Sequence, residues 1–384
     1  MNKFIRCICI SLAFICILLS TNNLISVNAE ENVLSGVSAR AACLIEVESG
    51  TLLYGKNEGL RMPMASTTKI MTAIVAIEMG YPLDKIVSVP KEAVGIEGSS
   101  LYLAEGESIS FEALLYGLLL CSANDAASAI AITLCGSEAA FVEKMNEKAR
   151  MLGLTNTAFL NPHGLDCEGH YTTALELARL MAYCVKNDTF VSISSTQKKV
   201  FPRDDGTTRT MINHNRLLRE NVGVIAGKTG FTKKSGRCLV TMSEKEGLSL
   251  ICVTLNAPND WSDHKALYEF GHSSYKRVNI PSIEIKIPVI SGSKSTVSAR
   301  TDEASLFLSN DDSEITKKLY APRFLFASIN KGDILGRVEY QYNGKVVATL
   351  PLKAYEDLER VRYFNLFDFF REIILSIKDL IWKK

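Results

Sequence analysis

Two residues three positions apart, Ser66 and Lys69, have the side chains needed for a nucleophile and its base. A serine hydroxyl attacks a carbonyl only when something takes its proton, and an amine held neutral one helical turn away can do so. The run that carries them is Pro63-Met64-Ala65-Ser66-Thr67-Thr68-Lys69-Ile70-Met71-Thr72-Ala73, with further apolar residues at Ile74 and Ile77 and a stop at Gly80. That spacing predicts a helix with one buried face and Ser66 at its start. There, unpaired backbone N–H groups and the positive dipole end favour a developing oxyanion. The same residues also read as an N-cap serine and a solvated lysine, because so short a pattern is common by chance.

Two distant stretches offer partners. Cys121-Ser122-Ala123-Asn124-Asp125 is a polar break between helical patterns at Phe111 to Leu120 and Ala126 to Leu134. It reads as a turn in which Ser122 or Asn124 caps the next helix. Alternatively it buries a hydroxyl and an amide that need partners, such as a lysine pair and a substrate. Gly223 to Gly230 reads as a strand containing Lys228-Thr229-Gly230. Lys228 suits an edge that must resist aggregation, while the flanking glycines suit an edge on which an extended peptide docks. His163, in Asn161-Pro162-His163-Gly164-Leu165, is a candidate general base or a structural loop histidine.

The elements that must position these residues follow from periodicity. A hairpin is expected over 36–46 and 50–54, then the helix carrying Ser66. Helices at Phe111 to Leu120, Ala126 to Leu134, Glu138 to Leu152 and Thr172 to Val185 follow, then strands from Val222 to Leu255 with a turn at Glu246-Gly247. After a helix at Asp263 to Tyr275, Ile283, Ile285, Ile287 and Val289 alternate with polar residues and Pro288, and Asn343-Gly344 marks a hairpin turn. A boundary near 278–281 therefore separates a domain of residues 30–278 from a small β domain of residues 281–354.

Both ends read as targeting segments. Lys3 and Arg6 precede an apolar run from Cys7 to Leu19, and Val27-Asn28-Ala29 suits a signal peptidase, so residues 1–29 read as a secretory signal. An uncleaved anchor is the alternative, and both readings place the body outside the cytoplasm. Near the other end Tyr363, Phe367, Phe370, Ile374, Ile377 and Ile381 recur at helical spacing, with Arg360, Arg371, Lys378, Lys383 and Lys384 opposite. Residues 356–384 read as an amphipathic helix in a membrane surface, or as a helix packed on its own domain or a partner.

The 384 residues carry a formal net charge of +1, which gives no footprint for nucleic acid. Seven cysteines follow the leader: Cys43, Cys121, Cys135, Cys167, Cys184, Cys238 and Cys252. An odd count with no repeated spacing argues for free thiols, and without Cys-x-x-Cys or His-x-x-x-His pairs no metal is expected.

Ser66-x-x-Lys69, Ser122-x-Asn124 and Lys228-Thr229-Gly230 together match the three signatures of penicillin-recognising serine acyl transferases. With His163-Gly164-Leu165-Asp166 and Asn213-His214-Asn215, the chain resembles the low-molecular-mass penicillin-binding proteins that act as serine-type D-alanyl-D-alanine carboxypeptidases. The likeness runs from about Val37 to about Leu352. It implies an α/β (α+β) catalytic domain, in which helices flank an antiparallel sheet, followed by a small all-β domain and the amphipathic helix.

The resemblance also implies roles. Ser66 attacks the carbonyl between the last two D-alanines of a peptidoglycan stem peptide, Lys69 takes its proton, and Lys228 helps keep Lys69 neutral by repulsion. The backbone N–H groups of Ser66 and Phe231 form the oxyanion hole. Ser122 relays a proton to the departing D-alanine and Asn124 bonds the substrate backbone. Lys228 and Thr229, beside Gly230, hold the terminal carboxylate. β-Lactams acylate Ser66, and no cofactor is required. In one respect the chain departs from the pattern. Some relatives have an arginine for the carboxylate near the loop here formed by Asn259-Asp260-Trp261, where only His264 stands close in sequence. Rival readings are a serine β-lactamase, for which Glu176-Leu177-Ala178-Arg179-Leu180 lacks the Glu-x-x-Leu-Asn pattern of one class, and a silent wall-binding protein.

Overall fold

The computed structural model describes residues 34, 36–203, 205–311, 313–361, 370 and 374. The secretory-signal reading of residues 1–29 lies outside them, as does most of the C-terminal helix reading.

The chain forms two units that meet in sequence at Ser274 and Tyr275. The first runs β1 (Ala41–Glu46), β2 (Leu52–Lys56), α1 (Lys69–Glu78), β3 (Ile86–Ser88), β4 (Ser108–Ser110), α2 (Phe111–Leu120), α3 (Asn124–Cys135) and α4 (Glu138–Met151). It continues with α5 (Ala174–Cys184), α6 (Asp188–Ser195), β5 (Lys198–Pro202), β6 (Thr208–Ile212), β7 (Val224–Thr232), β8 (Gly236–Lys245), β9 (Leu248–Leu255) and α7 (Asp260–Ser274). Five strands make one antiparallel sheet in the order β2-β1-β9-β8-β7. Both faces of β1 are buried, which is why it reads as a continuous apolar run rather than an alternation. β7, which carries Lys228, lies at the sheet edge, so one side of its backbone is free to pair with a peptide.

The core lies where α1, α2, α3 and α5 meet one another and the sheet. α2 is apolar nearly all round and buried accordingly, and Ser110 begins it by accepting a bond from the Ala113 N–H at 3.2 Å. Its Gly117 lies under Leu101, where a Cβ would come within 2.4 Å of the leucine side chain. That missing side chain lets the segment 97–103 lie flat on the helix. Burying a leucine such as Leu101 stabilises the fold by about 2 kcal/mol.

Local differences from the expected elements have physical causes. Ser66 sits not in an α-helix but in a 3-10 turn, Ala65–Thr68, that leads into α1. The helix α3 begins two residues before Ala126, with Asn124 as its first residue, and no side chain caps it. The hairpins β3–β4 and β5–β6 and the short α6 carry too few periodic residues to announce themselves.

The second unit contains β10 (Tyr275–Ile280), β11 (Glu284–Ile290), β12 (Thr296–Arg300), β13 (Ala304–Ser309), β14 (Ile315–Tyr320), β15 (Leu325–Phe326), β16 (Ile334–Tyr342) and β17 (Lys345–Ala354). β10 pairs with β13, which ties Tyr275–Ile280 to this unit rather than to the preceding helix. The other six form a sheet in the order β14-β16-β17-β12-β11-β15, closed on Ile287, Val297, Val338 and Leu352. Asn343 and Gly344 both have positive φ, 50° and 73°, as a two-residue hairpin turn demands.

Candidate active site

The turn that carries Ser66 is held in an uncommon shape. Ala65 has φ +48°, and Thr67 and Thr68 donate their hydroxyls to the Met64 and Ala65 carbonyls at 2.6 and 2.8 Å. Thr68 is fixed in turn by His170. The His170 Nδ1 accepts from the Leu160 N–H at 3.0 Å, so Nε2 carries the proton and faces Thr68 Oγ1 at 2.8 Å. No side chain caps the turn, whose Thr67 N–H donates to the Met64 carbonyl at 3.2 Å.

Lys69 is fully buried, and its Nζ has three oxygen neighbours: Ser66 Oγ at 3.1 Å, Asn124 Oδ1 at 2.6 Å and the His163 carbonyl at 2.5 Å. A lysine ammonium has three N–H donors, whereas the neutral amine has two and a lone pair. The two carbonyl-type oxygens use both N–H bonds of the neutral form and leave its lone pair for the Ser66 hydroxyl. Burial, and after it the nearby positive charge of Lys228, hold the Lys69 pKa well below the ordinary lysine value. That shift favours the neutral amine, the form a base must take.

Asn124 is fixed from its other end, since its Nδ2 donates to the Glu97 carbonyl at 2.5 Å while its backbone N–H donates to Ser99. Next to it, the buried Asp125 carboxylate accepts from Ser100 Oγ and from the Leu101, Leu103 and Ala126 N–H groups. Ser122 stands two residues before Asn124 with φ +60°, a conformation rare for a serine. Its Oγ is buried and has no hydrogen-bond partner among the described residues. An unpartnered buried hydroxyl costs about 1 to 3 kcal/mol and is ready to accept or donate to a substrate atom.

On the opposite side, β7 presses its edge against the serine turn. A Cβ on Gly230 would lie 3.1 Å from both the Ser66 and the Thr67 backbone N, so a side chain here would press the turn and the strand apart. Lys228 is buried, its Nζ donates to the Thr229 carbonyl at 2.9 Å, and burial lowers its pKa to about 7. His214, exposed at the surface, has a pKa lowered by desolvation and by the Lys228 charge. Phe231 follows Gly230 with its side chain largely in solvent.

The loop of residues 161–170 closes the site from below. Thr72 donates to the Pro162 carbonyl at 2.6 Å, and Ser235 Oγ donates to Asp166 at 3.1 Å. The His163 ring accepts from the Leu165 N–H at 3.2 Å, and its pKa falls to about 3 through burial and the neighbouring Lys69. The loop thus offers its backbone carbonyl to Lys69, a contact with no signature in the residue type. His264 is not a carboxylate partner: it is buried against Thr241 and Thr254 at 2.7 and 3.1 Å. Arginines reach the same region from elsewhere in the chain, for Arg237 pairs with Asp260 at 2.8 Å and both Arg216 and Arg237 lie over the Trp261 ring. Glu176 is taken up by Asn156 and Thr157, which donate to its carboxylate. All seven described cysteines are free, and no cluster of metal-binding side chains occurs among the described residues.

Comparisons with known proteins give the family. Residues 26–259 match the family profile described as D-alanyl-D-alanine carboxypeptidase, and residues 282–360 match that of the penicillin-binding protein 5 C-terminal domain. The chain is 31% identical over 343 residues to D-alanyl-D-alanine carboxypeptidase DacF of Bacillus subtilis, covering 85% of this chain and 87% of that one. It is 32% identical over 351 residues to DacC of Escherichia coli, covering 86% of each. Among solved structures, penicillin-binding protein 5 of Haemophilus influenzae superposes with a TM-score of 0.71 at 26% identity, covering 84% of this chain and 98% of that one.

Proposed function

Because the chain belongs to the D-alanyl-D-alanine carboxypeptidase family, we propose that the buried Lys69 is the base that makes Ser66 the nucleophile of its reaction. The protein is a serine-type D-alanyl-D-alanine carboxypeptidase, a hydrolase of cell-wall peptidoglycan acting outside the cytoplasm. The observation that carries the site assignment is that Lys69 Nζ lies within hydrogen-bond distance of Ser66 Oγ, Asn124 Oδ1 and the His163 carbonyl. In the neutral amine the last two oxygens take both N–H bonds and the lone pair is left for Ser66.

The steps follow from that arrangement. Ser66 Oγ attacks the carbonyl of the penultimate D-alanine as its proton passes to Lys69 Nζ. Charge on the tetrahedral oxygen is met by the backbone N–H groups of Ser66 and Phe231, at the junction of turn and strand edge. Lys228, charged when it meets a carboxylate, and Thr229 hold the C-terminus of the peptide, which lies along β7 beside Gly230. Asn124 bonds the substrate backbone. As the C–N bond breaks, Ser122 gives its hydroxyl proton to the amine of the leaving D-alanine and takes the one held by Lys69, which returns to the neutral form. Water then attacks the acyl-enzyme, Ser66 is restored, and the shortened peptide departs. β-Lactams present the same carbonyl and carboxylate and acylate the same serine.

In this reading residues 1–29 direct secretion, the unit that ends at Ser274 performs the chemistry, and the β unit from Tyr275 forms a separate module that keeps Leu358 in its core and pairs as far as Val361. The expected membrane helix of residues 356–384 is therefore shortened to the run beyond Val361, which lies on the outer face of the cytoplasmic membrane. The direct test is mass spectrometry of the protein after penicillin treatment, together with D-alanine release from a stem pentapeptide. A stable adduct on Ser66 and free D-alanine are expected. Ser66→Ala should abolish both while the protein stays folded, and adduct formation by that variant would refute the assignment.

A further inference from the structure

One corner of the second unit leaves apolar side chains uncovered. Phe326 of β15 stands in parallel register with Ile290 of β11, so the two side chains lie side by side on one face. Phe324, two residues earlier, sets its ring edge-on to that of Phe326, with centroids 5.6 Å apart. Phe326 is 66% exposed, Phe324 49% and Ile290 44%. A cluster of this kind on a surface marks a contact with something apolar.

The path of the chain indicates what that is. The Val361 N–H donates to the Ser291 carbonyl at 2.9 Å, and Arg360 bridges to Gly292, so the polypeptide leaves this unit directly beside Ile290. Val361 is itself exposed, and Arg323 and Arg360 flank the cluster in solvent. The next residues are the amphipathic run from Tyr363 to Ile381 with its lysines and Trp382. Aromatic rings beside arginines suit the headgroup level of a bilayer. Interfacial binding strengthens with the apolar area buried and with attraction of basic side chains to anionic lipid, so a second apolar contact beside the first adds to it.

We propose that Phe324, Phe326, Ile290 and Val361 form a second membrane contact, entering the interface of an anionic bilayer beside the C-terminal segment. This rests on the reading that the residues beyond Val361 lie on the membrane. The two contacts together fix how the β unit stands on the surface, which one amphipathic segment alone leaves free to swivel.

The test uses the full mature chain and vesicles of equal parts phosphatidylcholine and phosphatidylglycerol. Phe324→Ser/Phe326→Ser should lower the partition coefficient by about tenfold or more, with penicillin labelling unchanged. Leu319→Ser, on β14 at the opposite sheet edge, should bind as the parent does. A double variant that sediments like the parent overturns the proposal and points to a protein partner for this corner. Equal loss in Leu319→Ser overturns it too, by making the effect one of general surface hydrophobicity. The tail reading is read out separately by Phe367→Glu/Ile377→Glu. If that variant binds fully while the double variant does not, the tail reading falls and the corner stands. A parent chain that does not bind vesicles at all removes both.

Discussion

Gly164 meets Ala65 so closely that a Cβ on Gly164 would lie 2.1 Å from the Ala65 carbonyl oxygen. The two residues also share positive φ, +88° and +48°. The loop that gives its His163 carbonyl to Lys69 is thereby pressed directly onto the turn that carries Ser66. Gly164→Ala must push the loop off the turn, because the obstacle is backbone and cannot rotate away. Displacing a base acceptor by about 1 Å costs on the order of a hundredfold in rate, so penicillin acylation should slow by about that factor, and the thermal midpoint should fall. Labelling at the parent rate would show that the loop does not hold Lys69 in place.

Lys69→Ala removes the amine bonded to Ser66 Oγ. Loss of a positioned general base costs about 10²- to 10⁴-fold, and acylation measured by stopped-flow should drop within that range. Lys69→Arg should do no better, since a guanidinium stays protonated at any working pH. A Lys69→Arg protein that acylates at the parent rate would end the base assignment.

The Lys228 pKa gives a pH dependence with a definite sign. Burial lowers it from 10.5 to about 7. Between those values the unfolded chain holds a proton that the folded protein does not, so folding stability rises with pH across this window and is flat below it. Substrate binding runs the other way. As pH rises through about 7 the amine loses the charge that meets a carboxylate, and KM for a D-alanyl-D-alanine peptide should increase. Lys228→Met should remove its share of the stability slope and raise KM at low pH. Calorimetry and steady-state kinetics across roughly pH 6 to 9 measure both effects. A KM that falls as the solution becomes alkaline would contradict this role.

These contacts were unequally legible in the sequence. The bounds of α2 and β9 follow from periodicity and flanking turn residues, and the strand through Gly227 to Gly230 is marked by glycines that let another backbone approach. The lysine pair and Ser66 were recognisable as residue types. What stayed hidden is backbone chemistry. The His163 carbonyl, the Glu97 carbonyl and the Gly164 contact depend on where a loop lies, not on which side chains it has. Ser122 and Asn124 read equally well as helix caps, and only the unpartnered hydroxyl and the bond to Lys69 separate the two readings. The arginines over Trp261 come from positions 216 and 237, too far along the chain for local pattern to connect them.

Asp125 offers a prediction about the wall of the site beside Asn124. Its carboxylate, buried at the start of α3, gathers the Leu101 and Leu103 N–H groups and the Ser100 hydroxyl, and so holds the segment whose Glu97 carbonyl fixes the Asn124 amide. Asp125→Ala leaves those buried donors unpaired at about 1 to 3 kcal/mol each, enough to detach the segment from α2 rather than tolerate the loss. Hydrogen exchange at Leu101 and Leu103 should accelerate, and Asn124, released from Glu97, should bind substrate backbone less well, raising KM more than it lowers kcat. Asp125→Asn keeps one acceptor oxygen and should fall between the two. If exchange at both leucines matches the parent protein in the alanine variant, the carboxylate is not what orders the segment, and the packing of Leu101 over Gly117 must suffice.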